Sequence, residues 1–292
     1  MIKLDQISIV GVGLLGGSIG LALQAAGFLG RRLGVGRRAG SLKNALAVDA
    51  VDAVTRDVAE GVAGAGLVVL CSPIGRFEAL LRAMGPALPK GCIVTDVGST
   101  KAEVVKLAER VLPKHVAFVG SHPMAGSEKT GVGFARADLF DRALCLVTPT
   151  AKTSKPAVRA VKQFWEVLGA RTMVVSPGEH DKLVAGVSHL PHVVAAALVH
   201  LAIKSGAIDV AATGFADTTR VASGAPEMWT DILHTNRAAT IREIDRLGGE
   251  LQQLKRLLER DDVDALADWL KQGKTARDKW IAKRYRKKEI NP

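Results

Sequence analysis

Short apolar runs alternate with longer stretches of helical periodicity through the first 175 residues of the chain. Apolar runs that turn residues bound on both sides are typical of strands buried in a parallel sheet. They occupy residues 7–10, 33–35, 66–71, 92–96, 116–119, 143–148 and 171–175. Because helical stretches separate most of these runs, the pattern predicts an α/β fold with a parallel sheet.

The pattern changes at Ser176-Pro177-Gly178, after which apolar residues recur only at helical spacing. We predict helices over residues 179–204, 226–236, 240–260 and 261–283, with a kink at Pro191. The chain therefore divides into a sheet domain over residues 1–177 and an all-helical domain over residues 178–292. The helix at 240–260 carries an apolar stripe, which favours burial against a second subunit and hence a homodimer formed through the helical domain.

A glycine-rich turn follows the first apolar run directly. The segment Gly11-Val12-Gly13-Leu14-Leu15-Gly16 has the spacing G-x-G-x-x-G and leads into an Ala/Leu-rich helix that ends near Gly27. Glycines here let the backbone approach a pyrophosphate, and the helix N-terminus offers it free N–H groups. The strand, turn and helix in this order predict a Rossmann-type dinucleotide-binding domain.

Residues at two strand ends indicate the cofactor. After the second strand come Arg37 and Arg38, where an NAD-binding domain usually carries an acid. An arginine can pair with the 2′-phosphate of NADP, so we favour NADP and leave NAD possible. We expect Ser72 and Pro73, which follow the third buried run, to line the same cofactor site.

Reactive side chains cluster after the run at 116–119. The segment Ser121-His122-Pro123-Met124-Ala125-Gly126-Ser127-Glu128-Lys129 contains a histidine, two hydroxyls, a carboxylate and an ammonium group, and Pro123 and Gly126 predict a loop. Since ligands of parallel sheets bind beyond the carboxyl ends of the strands, His122, Ser99 and Ser72 should share the edge of the glycine-rich turn. We expect the reactive site there.

Composition and charge argue against other functions. Three cysteines lie in apolar runs and predict reduced core residues of a cytoplasmic protein, while seven histidines show no metal-binding spacing, so we expect no metal. The net charge of +11 is partly a basic tail, and a single tyrosine leaves little for base stacking, so we expect no nucleic-acid partner. The uncharged residues 6–30 contain seven glycines and no basic leader, so we expect no membrane partner.

Several of these segments, in this order, resemble the prephenate dehydrogenase family, whose close relatives are arogenate and cyclohexadienyl dehydrogenases. They are the glycine-rich turn, Ser72-Pro73 and residues 96–101, 121–131, 188–192 and 217–229. Residues 120–129 are the most specific of them, and the resemblance covers nearly the whole chain. It implies the oxidative decarboxylation of prephenate in tyrosine biosynthesis. Hydride leaves the carbon that bears the hydroxyl for the nicotinamide, the hydroxyl proton is drawn off, and loss of CO2 makes the ring aromatic.

The resemblance implies two catalytic residues. His122 would bond the ring hydroxyl and accept its proton, a task that suits a side chain with a pKa of about 6.5. Ser99 would orient the hydroxyl and the nicotinamide. It implies no role for His180 or His189, for which a satisfied core or surface histidine is the simpler interpretation.

The resemblance also implies a substrate pocket for prephenate or arogenate. Ser127 and Glu128 would line and gate it. Arg220 would anchor a substrate carboxylate with its planar guanidinium group. Ser188 and His192 would contact the side-chain end of the substrate.

Three alternatives remain at this point. Arogenate, which has an amine in place of the keto group, could be the substrate, alone or beside prephenate, although His192 favours the anionic keto acid. The chain could instead be a non-catalytic NADP-binding sensor that kept the fold. A 3-hydroxyacid-type dehydrogenase shares the two-domain plan but relies on a lysine base, and neither Lys182 nor Lys204 has supporting motif context.

Overall fold

The computed structural model describes residues 4–127 and 129–289, without the side chains of 284–289. Its sheet has eight strands, which are β1 Gln6–Val10, β2 Arg31–Val35, β3 Ala53–Thr55, β4 Leu67–Leu70, β5 Ile93–Asp96, β6 Ala117–Pro123, β7 Leu144–Thr148 and β8 Arg171–Val174. Their order is β3-β2-β1-β4-β5-β6-β7-β8. Neighbouring strands run parallel except β6 and β7, which are antiparallel.

Helices pack on both faces of this sheet, and successive strand residues supply two separate cores. The helices that alternate with the strands are α1 Leu14–Ala25, α2 Ala39–Ala47, α3 Val58–Val62, α4 Phe77–Met84, α5 Ala102–Val111 and α6 Lys155–Val167. Val69 belongs to one core and Val68 to the other, because side chains alternate across a strand. Burial on both faces explains why the strands read as continuous apolar runs.

The predicted Rossmann-type sheet is confirmed, with two differences besides the antiparallel pairing of β6 and β7. The short strand β3 was not predicted, since its three residues give too little pattern to detect. The prediction that residues 121–129 form a loop is wrong for the first three of them. β6 continues through Pro123 because β7 pairs with its second half, placing His122 opposite Leu146.

The rest of the described chain, up to residue 289, is helical. It comprises α7 Pro177–Val184, a π-helical turn Ala185–His189, α8 Leu190–Lys204, α9 Thr213–Thr219, α10 Pro226–Thr235, α11 Arg237–Glu259 and α12 Val263–Glu289. The π turn lies where a kink at Pro191 was predicted. Proline clashes with the carbonyl four residues earlier, and a widened turn relieves that clash.

By spatial contact the chain forms two compact units, residues 1–240 and 241–292. Helices α7 to α10 therefore belong to the same unit as the sheet. Asp231 on α10 shows why: its Oδ2 accepts the N–H of Gly75, in the turn after β4, at 3.0 Å. The boundary at residue 177 stays a prediction about where the architecture changes from sheet to helix.

The continuous helical segment from Pro177 to Lys204 is long and apolar enough to cross a bilayer by length and composition alone, which is weak evidence. Its polar side chains argue against a span, since His180, Asp181, His189 and His192 are all buried within the protein. The absence of a membrane partner stays a prediction.

A fully buried ion pair supports the turn between β5 and α5. Lys101 Nζ lies 2.5 Å from Asp96 Oδ2 and donates to the Thr100 carbonyl at 2.9 Å. The same carboxylate accepts the N–H of Gly98 at 2.8 Å and that of Ser121, on β6, at 3.1 Å. Because a buried charge is costly unless it is paired and hydrogen-bonded, this network holds the turn and β6 together.

Candidate active site

The glycine-rich turn is packed against the protein at two positions and open at the third. Gly11 has φ +108°, and a Cβ there would lie 2.8 Å from the Cys71 backbone. A Cβ on Gly16 would lie 2.0 Å from the Gly11 carbonyl oxygen, whereas one on Gly13 would meet nothing within 4 Å. No side chain caps α1, which begins directly after Gly13, and the first N–H groups of a helix have no acceptor within it. The turn therefore fits a dinucleotide pyrophosphate.

The other residues predicted to bind the cofactor lie at neighbouring strand ends. Ser72 is half-buried beside Gly11 and donates to the Val10 carbonyl at 3.2 Å, and Pro73 is exposed. Arg37 and Arg38 are both exposed just beyond β2. Exposed guanidinium groups at this strand end can reach an anion in solvent, so the structure is compatible with the predicted role.

His122 starts a buried chain of hydrogen bonds. It is 7% exposed, and its Nδ1 lies 2.9 Å from His180 Nε2. His180 Nδ1 in turn lies 2.8 Å from Asp181 Oδ1. The Asp181 carboxylate also accepts the N–H groups of Lys101 at 2.7 Å and Ala102 at 2.9 Å. A carboxylate at the N-terminus of α5 satisfies donors that the helix itself cannot, and the helix dipole favours it.

Burial keeps the histidines of this chain neutral. It lowers the pKa of His122 well below the usual value, and the nearby His180, Lys101 and His189 lower it further. Burial also lowers the pKa of His180, although the hydrogen bond to Asp181 opposes that shift. A neutral imidazole keeps a lone pair that can accept a hydrogen bond or a proton, although a lowered pKa makes it a weaker base than a free histidine.

Asn236 ties the π turn to this chain. Its Nδ2 donates to the Asp181 carbonyl at 2.8 Å and approaches His189 Nδ1 at 3.1 Å. Because an amide N–H can only donate, Nδ1 of His189 is the acceptor and the proton of a neutral ring is on Nε2. Burial lowers the pKa of His189 to about 4.

His192 and Trp229 form a stacked pair beside His189. Their ring centroids are 3.6 Å apart with the planes at 9°, and the His189 ring meets Trp229 edge-on at 6.2 Å. A Cβ on Gly224 would lie 2.3 Å from Trp229 Nε1, so this position excludes a side chain. Burial lowers the pKa of His192, and hydrogen bonding to the Val221 backbone opposes the shift.

The structure brings together only part of the predicted site. His122 belongs to the chain of buried hydrogen bonds, Ser99 lies in the turn after β5, and His192 stacks on Trp229, whose edge meets the His189 ring. Ser188 is half-buried on the π turn. Ser127 is exposed, and its Oγ accepts the N–H of Lys129 at 3.1 Å.

The other two predicted substrate residues are Glu128 and Arg220. Glu128 lies outside the described residues. Arg220 is exposed at the start of the 3-10 turn Arg220–Ser223, which packs against α8. The roles of both residues stay predictions.

Sequence reasoning missed His180 and Asp181. The available signal was a histidine and a carboxylate in adjacent positions of the first turn of a predicted helix. That signal is weak without the fold, because such pairs are common on helix surfaces and only tertiary contact brings this one to His122.

Two family models match the chain. One describes the nucleotide-binding domain of prephenate dehydrogenase and matches residues 19–174, and the other describes the dimerization domain and matches residues 176–272. The prephenate dehydrogenase of Bacillus subtilis is 36% identical over 280 residues, which are 94% of this chain and 76% of that protein. The cyclohexadienyl dehydrogenase of Zymomonas mobilis is 33% identical, over 95% of this chain and 96% of that one.

A solved structure is similar as well. It is the prephenate dehydrogenase of Aquifex aeolicus in complex with hydroxyphenyl propionate and NAD+. The match has a TM-score of 0.90 at 33% identity and covers 95% of this chain and 99% of that one.

We predict that Gly13→Ala weakens dinucleotide binding without affecting the fold. The new methyl group meets no protein atom and projects into the open side of the turn. We expect Kd for NADP or NAD, measured by calorimetry, to rise about tenfold, equivalent to about 1.4 kcal/mol. The unfolding midpoint in urea should stay unchanged.

Gly16→Ala is the matched comparison, because its methyl group would collide with the Gly11 carbonyl. It should lower the free energy of unfolding by about 1–3 kcal/mol. Equal cofactor affinity in wild type and Gly13→Ala would show that the pyrophosphate binds elsewhere.

Proposed function

The chain belongs to the prephenate dehydrogenase family of dinucleotide-dependent oxidoreductases, and we propose that it converts prephenate to 4-hydroxyphenylpyruvate with hydride transfer to NADP+ or NAD+. The main support for this proposal is His122, which is buried and neutral. It lies at the same edge of the sheet as the glycine-rich turn. The reaction would supply tyrosine biosynthesis.

His122 acts in this reaction as the acceptor for the ring hydroxyl. Its Nδ1 is engaged by His180, so Nε2 is the nitrogen left for the substrate. The bound dinucleotide, held by the glycine-rich turn, supplies the hydride acceptor. Ser99 follows Gly98 in the turn that the buried Lys101–Asp96 pair holds, which suits a residue that orients the reacting groups.

The overall reaction releases no net proton, which suits a buried base. The hydroxyl oxygen loses its proton as the carbon that bears it is oxidised. The same oxygen recovers a proton when loss of CO2 makes the ring aromatic. His122 therefore needs only to hold a proton briefly and return it. A base closed off from solvent on its Nδ1 side meets that requirement.

We favour prephenate over arogenate because of His192. This side chain stacks on Trp229 and is kept neutral by burial, so it offers no negative charge to the ammonium group of arogenate. The cyclohexadienyl dehydrogenase among the relatives keeps arogenate as the second candidate. We expect kcat/KM for prephenate to exceed that for arogenate in steady-state assays, and the reverse order would contradict this choice.

A homodimer in the cytoplasm completes the proposal. The second matching family model is described as a dimerization domain. Large apolar side chains are exposed on helices within its range, namely Leu201, Ile203, Ile241, Ile244, Leu251, Leu258, Val263 and Leu270. Exposed apolar side chains in this number favour burial against a second copy. A monomeric mass in light scattering would contradict it.

We predict that His122→Asn reduces kcat with prephenate by about 10²–10⁴-fold, the usual contribution of a general base. The affinity for the dinucleotide should stay within about twofold, because the variant leaves the glycine-rich turn intact. His234→Asn, at an exposed position on α10, is the matched control and should behave as wild type. Unchanged turnover in His122→Asn would rule out the catalytic assignment, whereas a wild type that binds the dinucleotide without turning over prephenate would favour a dinucleotide sensor.

We predict that Arg37→Asp shifts the cofactor preference from NADP towards NAD. The wild type should have the higher kcat/KM with NADP, because Arg37 can pair with the 2′-phosphate. In the variant, the NADP/NAD ratio of kcat/KM should fall by roughly tenfold or more. Arg31→Ala removes an exposed arginine from the opposite end of β2 and should leave the ratio unchanged. A wild type that prefers NAD would refute the role of Arg37.

A further inference from the structure

We propose that His180 and Asp181 are positioning residues, which fix the proton of His122 on Nδ1 and so present a bare Nε2 to the substrate hydroxyl. This inference rests on the proposed function of His122 as a hydrogen-bond and proton acceptor. It adds two residues to which the resemblance gave no role. It also assigns each imidazole nitrogen of His122 and His180 a donor or an acceptor role.

Asp181 determines the first proton. Its carboxylate is 5% exposed and accepts the backbone N–H groups of Lys101 on Oδ1 and Ala102 on Oδ2. A backbone N–H can only donate, so both oxygens act as acceptors. His180 Nδ1, 2.8 Å from Oδ1, is then the third donor and carries the proton.

His180 determines the second proton. It is fully buried, and its Nε2 lies 2.9 Å from His122 Nδ1 with room for one proton between the two nitrogens. An imidazole whose only proton is on Nδ1 has a lone pair on Nε2. His122 must therefore donate through Nδ1, and its own Nε2 is left as the acceptor.

The surrounding charges oppose a second proton on this pair. Lys101 faces both rings, and its ammonium group repels an imidazolium. His189 also faces His122, and Asp96 faces His180 but is already paired with Lys101. From β7, Cys145 approaches the His122 backbone, and burial raises the pKa of its thiol. Burial and the Lys101 ammonium group therefore favour the neutral state of both rings, whereas the Asp181 and Asp96 carboxylates act in the opposite direction on His180.

Asp181 is held in place from two sides, as a positioning role requires. Two elements hold Asp181: the N-terminus of α5 through its carboxylate, and Asn236 through its carbonyl. At the start of α7, Ser176 Oγ accepts the N–H of Glu179 at 3.2 Å, which fixes the first helical turn. A carboxylate that holds an imidazole in one tautomer is an established way to keep a base in its working form.

Two substitutions at position 180 distinguish positioning from packing. His180→Leu has no acceptor for His122 Nδ1, so His122 can adopt either tautomer and orientation. We expect kcat with prephenate to fall about tenfold or more, with KM and the dinucleotide Kd within about threefold of wild type. His180→Gln places an amide oxygen near the position of Nε2 and should recover most of that kcat.

The matched control is Glu179→Gln, which changes an exposed carboxylate one residue away and should leave kcat unchanged. Wild-type kcat in folded His180→Leu would overturn the proposal.

A second measurement does not depend on turnover. In the unliganded protein near pH 7, ¹⁵N NMR of the imidazoles should show His122 protonated on Nδ1 and bare on Nε2, with the signal assigned by its loss in His122→Asn. A protonated Nε2 on His122 would overturn the inference even if the enzyme turns over prephenate. No turnover by wild type, with the expected tautomer present, would instead count against the proposed function alone.

Discussion

The carboxylate of Asp181, placed at the N-terminus of α5, is the contact on which the geometry of the site depends. It joins a sheet connection to the first of the helices that follow the sheet, and it orients His180 against His122 on β6. A helix N-terminus needs acceptors and a buried carboxylate needs donors, so each satisfies the other. Asn236 adds a third element by donating to the Asp181 carbonyl.

Burial keeps the histidines of this arrangement neutral, and it also requires every charged group in it to be paired. Lys101, Asp96, Asp181, His180 and His189 are all nearly or fully excluded from solvent. Each must be paired or neutral, since an unpaired buried charge costs several kcal/mol of stability. The Lys101 ammonium group, which is paired with Asp96, also lowers the pKa of His122 and so helps to keep the imidazole neutral. Stability of the turn and neutrality of His122 thus have a common physical origin.

Local sequence patterns predicted much of the fold and the cofactor half of the site. The apolar runs gave seven of the eight strands, and the glycine spacing gave the turn whose close contacts the structure shows at Gly11 and Gly16. Local patterns could not show the tertiary contacts that complete the site. Only pairing with β7 extends β6 to His122, and only packing of α7 brings His180 within 2.9 Å of it. The resemblance to a family pointed to His122 but not to His180 and Asp181, which form its hydrogen-bonded chain.

The activity that all of this geometry must serve is the removal of hydride and CO2 from one substrate without net proton release. Prephenate deuterated at the hydroxyl-bearing carbon provides the test. We expect the deuterium to be recovered entirely in the reduced nicotinamide, with one 4-hydroxyphenylpyruvate and one CO2 formed per label. Deuterium in the solvent, or reduced cofactor without the aromatic product, would contradict it.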